Sequence, residues 1–345
     1  MGLFIKNTDF IGLDIGSTAI RLVQLRPGAK PSLMAYASVP VEGNITISDA
    51  AGDQDKVAAL IKQLLVENKI MAKDVVVGLP SNKVFATVIR TPNIDRKQLG
   101  KAISLQAEQF VPMAISQVKL DWAVLNETPD GKSLDVLLIS APNSIVEKYV
   151  SIVEKAGLEA LALEANAVAV TRSLLPAGAP ACVVLDLGSL DSDVTVVWKN
   201  VPMLMRSIEV GGLTVVRTVS KTLGLDEAQA TQFTYKFGLT QSKLEGQVYR
   251  AVKPVLDGLV AEVVKSIKFF NSRYPDVTLE KLVVTGGPSM MPELGIYLAN
   301  SLGMPVEFGN AWTNVSYPAE LQDKLMSLSS QYATAVGLAG RGYIA

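Results

Sequence analysis

The chain has 345 residues, is 49% hydrophobic and carries a net charge of −1. Because one hydrophobic core rarely holds so many residues, the length predicts two domains, and the balanced charge disfavours a nucleic-acid partner. The chain contains no histidine, which excludes histidine-based triads and histidine metal ligands. Its one cysteine, Cys182, lies in an apolar run, so we expect a buried thiol, no internal disulfide and a reducing environment.

No segment reaches the roughly 18 uncharged apolar residues that a membrane-spanning helix requires. The N-terminal stretch MGLFIKNTDF lacks the apolar core of a signal peptide. The sequence therefore predicts a cytoplasmic chain without a membrane anchor of its own, which would meet a membrane only through partners.

The first predicted element is an apolar hairpin, FIGLDIGSTAIRLVQL, whose tip carries Asp14, Gly16, Ser17 and Thr18. Glycine lets the backbone approach a ligand closely, and the turn amides and the two hydroxyls can donate to a phosphate. Arg21, on the outgoing strand, either reaches back to that phosphate or is a solvated strand residue. A single D-x-G-S turn also occurs in hairpins that bind nothing.

Between residues 83 and 157 the pattern predicts a compact β-α-β-β-α unit. KVFATVIR is typical of a strand, and DRKQLGKAISLQAEQF has the apolar spacing of a helix. VKLDWAVL and SLDVLLIS predict two further strands before a second helix. We expect the strand KVFATVIR and the first helix to border the seam with the domain that carries the hairpin.

The stretch CVVLDLGSLDSDVTVVWKN repeats the layout of the first hairpin half a chain later. Asp186, Gly188 and Ser189 take the places of the acid, the glycine and the first hydroxyl. A carboxylate beside a phosphate would repel it unless a cation intervenes, and Mg²⁺ prefers oxygen ligands and keeps several waters. The two hairpins together predict Mg²⁺ held through water by Asp14 and Asp186, next to the phosphates of a nucleotide.

Two further patterns follow the second hairpin. VYRAVKPVLDGLVAEVVKSIKFF has helical spacing, so we expect residues 211–271 to be mostly helical. LEKLVVTGGPSMMPEL predicts a strand, a turn at Gly286 and Gly287, and a helix opened by Pro288. The two glycines would let a purine or sugar lie against bare backbone, although alone they would indicate only a tight turn.

The chain carries a phosphate hairpin, then a second phosphate hairpin, and then a late TGG turn. This order of motifs resembles that of the actin-like ATPase superfamily. The segment QAEQFVPMAISQVKLDW, with VVVGLPSNKVFATVIRTP and MRSIEVGG, is more specifically similar to the PilM family of type IV pilus assembly proteins, the FtsA-like branch of that superfamily. The resemblance implies an α/β protein with the actin-like ATPase fold, in which two lobes surround a nucleotide cleft and an FtsA-like subdomain is inserted in the first lobe.

The resemblance also implies unit boundaries and site residues. The units are a first lobe (1–82 and 158–180), the inserted subdomain (83–157), a second lobe (181–210 and 272–345) and its helical subdomain (211–271). The residues implied to bind ATP or ADP with Mg²⁺ are Asp14, Gly16, Ser17, Thr18, Arg21, Asp186, Gly188, Ser189, Gly211, Gly212, Gly286 and Gly287. Glu164 stands where bacterial actins carry a water-activating glutamate, and a structural acid at a helix N-terminus is the alternative.

One helix departs from the family pattern. Members carry A-E-x-x-K before a glycine, with the Glu and Lys beside the nucleoside, whereas this chain has Thr231 and Thr234 at those positions. Loss of a charged hydrogen bond weakens binding by about 1.5–3 kcal/mol. We therefore expect a weakened nucleoside contact and at most slow ATPase activity.

The resemblance implies a scaffold at the cytoplasmic face of the inner membrane, in the assembly platform of a type IV pilus. The implied partner is the short N-terminal tail of PilN, docked on the first lobe and the inserted subdomain, with pilus motor ATPases and self-association as further candidates. Two alternatives share the fold. An FtsA-like cell-division protein usually ends in a basic amphipathic helix, unlike AGRGYIA, and a small-molecule kinase needs a carboxylate base for its substrate.

Overall fold

The computed structural model describes residues 9–128 and 130–344, so the ends of the predicted lobes at 1–8 and 345 lie outside the described residues. The strands are, in chain order, β1 (Phe10–Ile15), β2 (Ala19–Arg26), β3 (Ser32–Pro40), β4 (Asp74–Leu79), β5 (Phe85–Pro92), β6 (Val118–Glu127), β7 (Ser133–Pro142), β8 (Glu159–Ala165), β9 (Cys182–Leu187), β10 (Ser192–Trp198), β11 (Val201–Ile208), β12 (Lys281–Thr285) and β13 (Val306–Phe308). The helices are α1 (Ala51–Glu67), α2 (Arg96–Ala107), α3 (Asn143–Lys155), α4 (Asn166–Leu174), α5 (Gly212–Leu223), α6 (Glu227–Phe237), α7 (Gln247–Arg273), α8 (Leu294–Leu302) and α9 (Gln322–Ala339).

The first lobe is built on a five-stranded sheet in the order β3-β2-β1-β4-β8. Strands β1, β2 and β3 pair in antiparallel fashion, while β4 and β8 continue the sheet in parallel with β1. Every residue of β1 is buried, because helices cover both faces of the sheet. Helices α1 and α3 pack on one face, and α4 and α9 pack on the other.

The second lobe repeats this arrangement in a five-stranded sheet ordered β11-β10-β9-β12-β13. Its first three strands are antiparallel, and β12 and β13 are parallel to β9. Helices α5, α6, α7 and α8 share a hydrophobic core with one face of the sheet. The β1–β2 and β9–β10 hairpins therefore hold equivalent places in two related sheets, as the sequence repeat predicts.

Helices α4 and α9 join the two lobes, since one hydrophobic cluster contains residues of both helices and of both sheets. The helices approach very closely at Gly337, where a Cβ would lie 1.8 Å from the carbonyl oxygen of Ala169. A Cβ on Gly12 of β1 would likewise lie 2.2 Å from the amide nitrogen of Ala339. Both positions require glycine: Gly337 allows α9 to approach α4, and Gly12 allows β1 to approach α9.

The segment inserted in the first lobe forms a three-stranded antiparallel sheet ordered β5-β7-β6, with α2 covering one face. The order of elements is the predicted β-α-β-β-α. The last helix differs in its packing: Tyr149, Ile152 and Val153 of α3 are buried in the first-lobe core with α1. Helix α3 therefore ties the inserted sheet to the first lobe instead of covering that sheet.

The strand KVFATVIR becomes β5, and its position differs from the expected one. It lies beside β11 of the second lobe, with the short 3-10 turn Ser81–Lys83 leading into it. The inserted sheet consequently touches both lobes: α3 anchors it to the first, and its outer strand approaches the second.

Helices α5, α6 and α7 fill residues 212–273 almost completely. Asp226 caps α6 in a capping box with Gln229, and Gly224 ends α5 in the left-handed conformation. Within the described ranges, none of the helices is both long and apolar enough to cross a bilayer.

Candidate nucleotide cleft

The tips of the two hairpins face one another across a cleft of about 630 Å³, a volume suited to a nucleotide-sized ligand. Most residues of the predicted set line it: Asp14, Gly16, Ser17, Thr18, Arg21, Asp186, Gly188, Ser189, Gly212, Gly286 and Gly287. Gly211 lies behind this wall, where a Cβ would meet the carbonyl oxygen of Ser189 at 2.4 Å. Glu164 is not among the lining residues.

Asp14 and Arg21 are cross-strand partners on β1 and β2, so their side chains leave the same face of the hairpin. Nη1 of Arg21 lies 3.9 Å from Oδ2 of Asp14, and Nη2 donates a 3.5 Å hydrogen bond to Oε1 of Gln331. Burial raises the pKa of the Asp14 carboxyl to about 6, and Arg21 opposes only part of this effect. Arg21 lines the cleft, which favours the phosphate interpretation over a solvated strand residue.

Asp186, near the end of β9, belongs to a group of acids around the second hairpin. Its pKa is raised to about 8, mainly by burial and in addition by repulsion from Asp193, Asp14 and Asp191. Burial also raises the pKa of Asp193 to about 6. Several carboxylates crowded into one buried region repel one another, which is typical of a site that binds a cation.

The chemistry of these donors fits Mg²⁺, which prefers oxygen ligands and keeps several waters. Within residues 9–128 and 130–344, no three acidic or cysteine side chains converge closely enough to form a direct metal cage. Asp14 and Asp186, one on each hairpin, are the cleft residues that would hold a hydrated Mg²⁺.

The hairpin tips also supply backbone donors. The N–H of Gly16 closes the first turn by donating to the carbonyl of Ala19 at 3.1 Å. In the described part of the chain, the tip amides that donate to no carbonyl or side chain include those of Ser17, Thr18 and Ser189. Adjacent free N–H groups at a turn form an anion-binding concavity, so a phosphate at each tip would find donors already in place.

The late glycine turn lies against the second hairpin. Gly286 has a φ of +89°, and a Cβ there would lie 2.0 Å from the carbonyl oxygen of Leu187, so only glycine fits. The following residues, Gly287–Met290, form a 3-10 turn, and α8 begins only after it. Pro288 therefore opens only this short turn, and the α-helix predicted to begin there starts at Leu294, because Glu293, at a φ of +62°, interrupts the helical backbone.

Sequence reasoning missed the cleft residues that lie before β5. Nδ2 of Asn82 donates a 2.6 Å hydrogen bond to Oδ2 of Asp191 across the cleft. Lys83 also lines the cleft, and its charge opposes the rise that burial causes in the pKa of Asp191. Lys148, also in the lining, forms a 2.9 Å ion pair with Asp49. The stretch around Asn82 is part of the family resemblance but resembles neither hairpin, so it gave these residues no role in the cleft.

A sequence model described as type IV pilus assembly protein PilM matches residues 12–343. The chain belongs to the PilM family. The solved structure of a PilM-PilN type IV pilus biogenesis complex is similar, with a TM-score of 0.84, 25% identity and coverage of 99% of this chain and 100% of that chain. That structure holds its PilM chain in complex with PilN.

Two more distant structures confirm the predicted actin-like ATPase fold. The ethanolamine utilization protein EutJ from Carboxydothermus hydrogenoformans is similar, with a TM-score of 0.60 and 15% identity over 98% of this chain and 91% of that chain. MreB5 of Spiroplasma citri bound to ADP is similar, with a TM-score of 0.54 and 12% identity over 96% of this chain and 94% of that chain. At these identities the likeness concerns the fold.

Glu164 of this PilM-family chain lies on β8 in an environment of cations. Its two carboxylate oxygens accept hydrogen bonds from Arg172 at 2.6 and 2.7 Å, and Oε1 lies 3.1 Å from Nη1 of Arg341. The side chain is only 9% exposed. The structure does not bring Glu164 together with the hairpin acids, whereas Asn166, at the start of α4, lines the cleft.

Helix α6 presents a different face to the cleft than the family motif suggests. Thr231 lines the cleft, but Thr234 is 1% exposed and its hydroxyl donates to the carbonyl of Ala230 at 2.7 Å. Tyr235, one helical turn after Thr231, lines the cleft instead. The ring of Tyr235 therefore lies in the part of the cleft wall where the PilM-family motif implies a charged contact with the nucleoside.

Proposed function

We propose that this chain is a nucleotide-binding scaffold of the inner-membrane platform of a type IV pilus. It binds ATP or ADP with Mg²⁺ in the cleft and docks the cytoplasmic N-terminal tail of PilN. The observation that carries the proposal is the PilM match over residues 12–343, in a chain whose two acid-bearing hairpins face one another across a cleft.

The nucleotide part of the proposal is supported by the cleft itself. Free amides at both hairpin tips would receive phosphates, and Arg21 and Lys83 add positive charge to the lining of the cleft. Asp14 and Asp186 would hold hydrated Mg²⁺, which neutralises the phosphates beside them. Tyr235 offers a flat apolar surface for the base.

We expect ATP turnover to be slow. A general base must lie within hydrogen-bond reach of the water that it activates, or act through one bridging water. Glu164, the candidate base, is paired with Arg172 and Arg341 and does not line the cleft. Nucleotide would then act mainly as a structural ligand that holds the two lobes together.

The docking of PilN is supported by the similarity to the PilM-PilN complex and by the surface of the inserted subdomain. Phe110 is 47% exposed and Met113 is 40% exposed in the segment between α2 and β6. This segment adjoins α3, because Nδ2 of Asn143 donates to the carbonyl of Ser116 at 3.0 Å. An extended apolar tail would pack there, with the outer strand β6 available for backbone hydrogen bonds. The tail would recruit the chain to the cytoplasmic face of the inner membrane, where motor ATPases and a second copy are further candidate partners.

A titration with a synthetic peptide of the PilN N-terminal tail tests the docking proposal. Trp122, on β6, serves as a fluorescence reporter in the inserted subdomain. We expect saturable binding that Met113→Glu weakens at least about tenfold, while Met71→Glu, at a distant methionine that is 83% exposed, leaves it unchanged. Binding confined to residues 181–345, or none in the presence of nucleotide, would rule the docking model out.

A further inference from the structure

A second cavity lies outside the nucleotide cleft, in a groove between the inserted sheet and the second lobe. It has a volume of about 410 Å³ and is bounded by residues 86–88 of β5, residues 203–206 of β11 and one face of α7. In the described structure β5 and β11 are each the outermost strand of their sheet. Each therefore presents a row of N–H and C=O groups that no neighbouring strand uses.

The floor of this β5–β11 groove is apolar and partly aromatic. Met203 and Met205 contribute from β11, and Phe269, Phe270 and Tyr274 contribute from α7 and its end. The rings of Phe270 and Tyr274 lie 5.1 Å apart, so the floor is a packed surface. Phe269 is nevertheless 60% exposed, which is costly for a large aromatic side chain unless a partner covers it.

The rim of the groove is positively charged. Arg206 and Lys265 both pair with the single carboxylate of Glu262. Arg273 lies over the ring of Tyr274, 6.0 Å from its centroid, and has no acidic partner among residues 9–128 and 130–344. Three cations thus face one carboxylate, which leaves the rim with an excess of positive charge over an apolar floor.

We infer that the β5–β11 groove binds an extended peptide segment in which apolar and acidic side chains alternate. Successive side chains of a strand point to opposite sides, so the apolar ones would face Phe269 and Met205 while the acidic ones meet Arg273, Arg206 and Lys265. The backbone of the segment would pair with a free sheet edge. This groove shares no lining residue with the nucleotide cleft and is separate from the surface proposed for PilN. Its occupant would clamp the inserted sheet to the second lobe.

Fluorescence anisotropy with the full chain tests the inference. The probe is a short fluorescein-labelled peptide in which glutamate alternates with valine. One control peptide has the same composition with the glutamates and valines in separate blocks, and a second has lysine in place of glutamate. The protein variants are Arg273→Glu and Phe269→Ser, both at exposed positions where folding is tolerant. Lys268→Glu is the matched control, because it reverses a charge on the same helix outside the groove.

The alternating acidic peptide should bind more tightly than both control peptides. Arg273→Glu and Phe269→Ser should each weaken it at least about tenfold, while Lys268→Glu should change it less than about twofold. Equal binding of the block or lysine peptide, or insensitivity to both groove variants, would overturn the inference. Concentration-dependent dimerisation that the same variants abolish, without peptide binding, would also overturn it and assign the groove to a second copy of the chain.

Discussion

Asn82 and Asp191 are joined by a 2.6 Å hydrogen bond that spans the cleft from the turn before β5 to the second hairpin. The contact links three parts of the molecule, because that turn leaves the first lobe, enters the inserted sheet and touches the second lobe. A nucleotide that alters the position of the second hairpin would therefore act directly on the inserted sheet. Lys83, the next residue, stands at the same junction and lines the cleft.

Lys83→Ala should weaken ATP binding about tenfold and ADP binding by a smaller factor. The substitution removes an ammonium group near the second hairpin, and the more highly charged triphosphate loses more attraction than the diphosphate. Competition titrations against a fluorescent nucleotide analogue measure both affinities. Lys62→Ala, on the exposed face of α1, is the control. Equal losses for ATP and ADP, or none, would show that Lys83 does not contact the terminal phosphate.

Asp186→Asn should stabilise the ligand-free protein at high pH. Burial raises the pKa of Asp186 from 3.8 to about 8, so the folded state binds a proton that the unfolded state releases between these values. The stability that this proton contributes is present below pH 4 and is lost as the pH rises through about 8. The neutral amide avoids this loss, and the gain in the free energy of unfolding at high pH should be on the order of a few kcal/mol.

Urea denaturation of wild type and Asp186→Asn across this pH range measures the difference directly. Asp257→Asn is the control, because the hydrogen bond from Lys253 lowers the pKa of Asp257 and this acid is therefore ionised in both the folded and the unfolded state at high pH. A stability difference between wild type and Asp186→Asn that stays constant with pH would contradict the buried-acid account.

Glu164→Gln should lower the free energy of unfolding by about 3–5 kcal/mol, because it leaves the Arg172 and Arg341 guanidinium groups without their shared carboxylate in a buried setting. Glu262→Gln is a matched control, since Glu262 also pairs with two cations but on the surface, and its loss should be much smaller. Chemical denaturation compares the two variants. If Glu164→Gln left stability intact and abolished ATP turnover, the catalytic hypothesis would be restored.

Tyr235→Ala should weaken nucleotide binding by about 1–3 kcal/mol if its ring stacks on the base, while Tyr235→Phe should preserve binding. Thr234→Lys, which the family motif suggests as a restoration, should instead destabilise the fold, because Thr234 is 1% exposed. Nucleotide titration and thermal unfolding of the three variants separate these effects. Tight binding by a stable Thr234→Lys protein would mean that α6 is rotated from its position here.

The local patterns of the sequence predicted the elements that position the cleft. The repeated D-x-G-S hairpins, the late glycine turn and the helical run that became α7 each depend on neighbours in the chain, so periodicity and turn residues suffice to identify them. The buried setting of Cys182 follows in the same way from its apolar strand.

The features that the sequence did not predict depend on contacts between residues that are far apart in the chain. The environment of Glu164 depends on Arg341, which is far away in the chain, and the helical phase of α6 decides that Tyr235 and not Thr234 meets the cleft. The contact of Asn82 with Asp191 and the approach of β5 to β11 likewise form only when the two lobes close. Such relations leave no periodic signal in a single sequence.

Calorimetric titration of Mg-ATP into wild type and Asp14→Ala tests the central claim, that a magnesium nucleotide binds between the two hairpins. We predict saturable binding by wild type, a loss of affinity of at least about tenfold in Asp14→Ala, and a similar loss when EDTA removes Mg²⁺ from the wild-type titration. Asp53→Ala, on α1 away from the cleft, should bind like wild type. Unchanged affinity in a folded Asp14→Ala protein, or no heat of binding in wild type, would contradict the account.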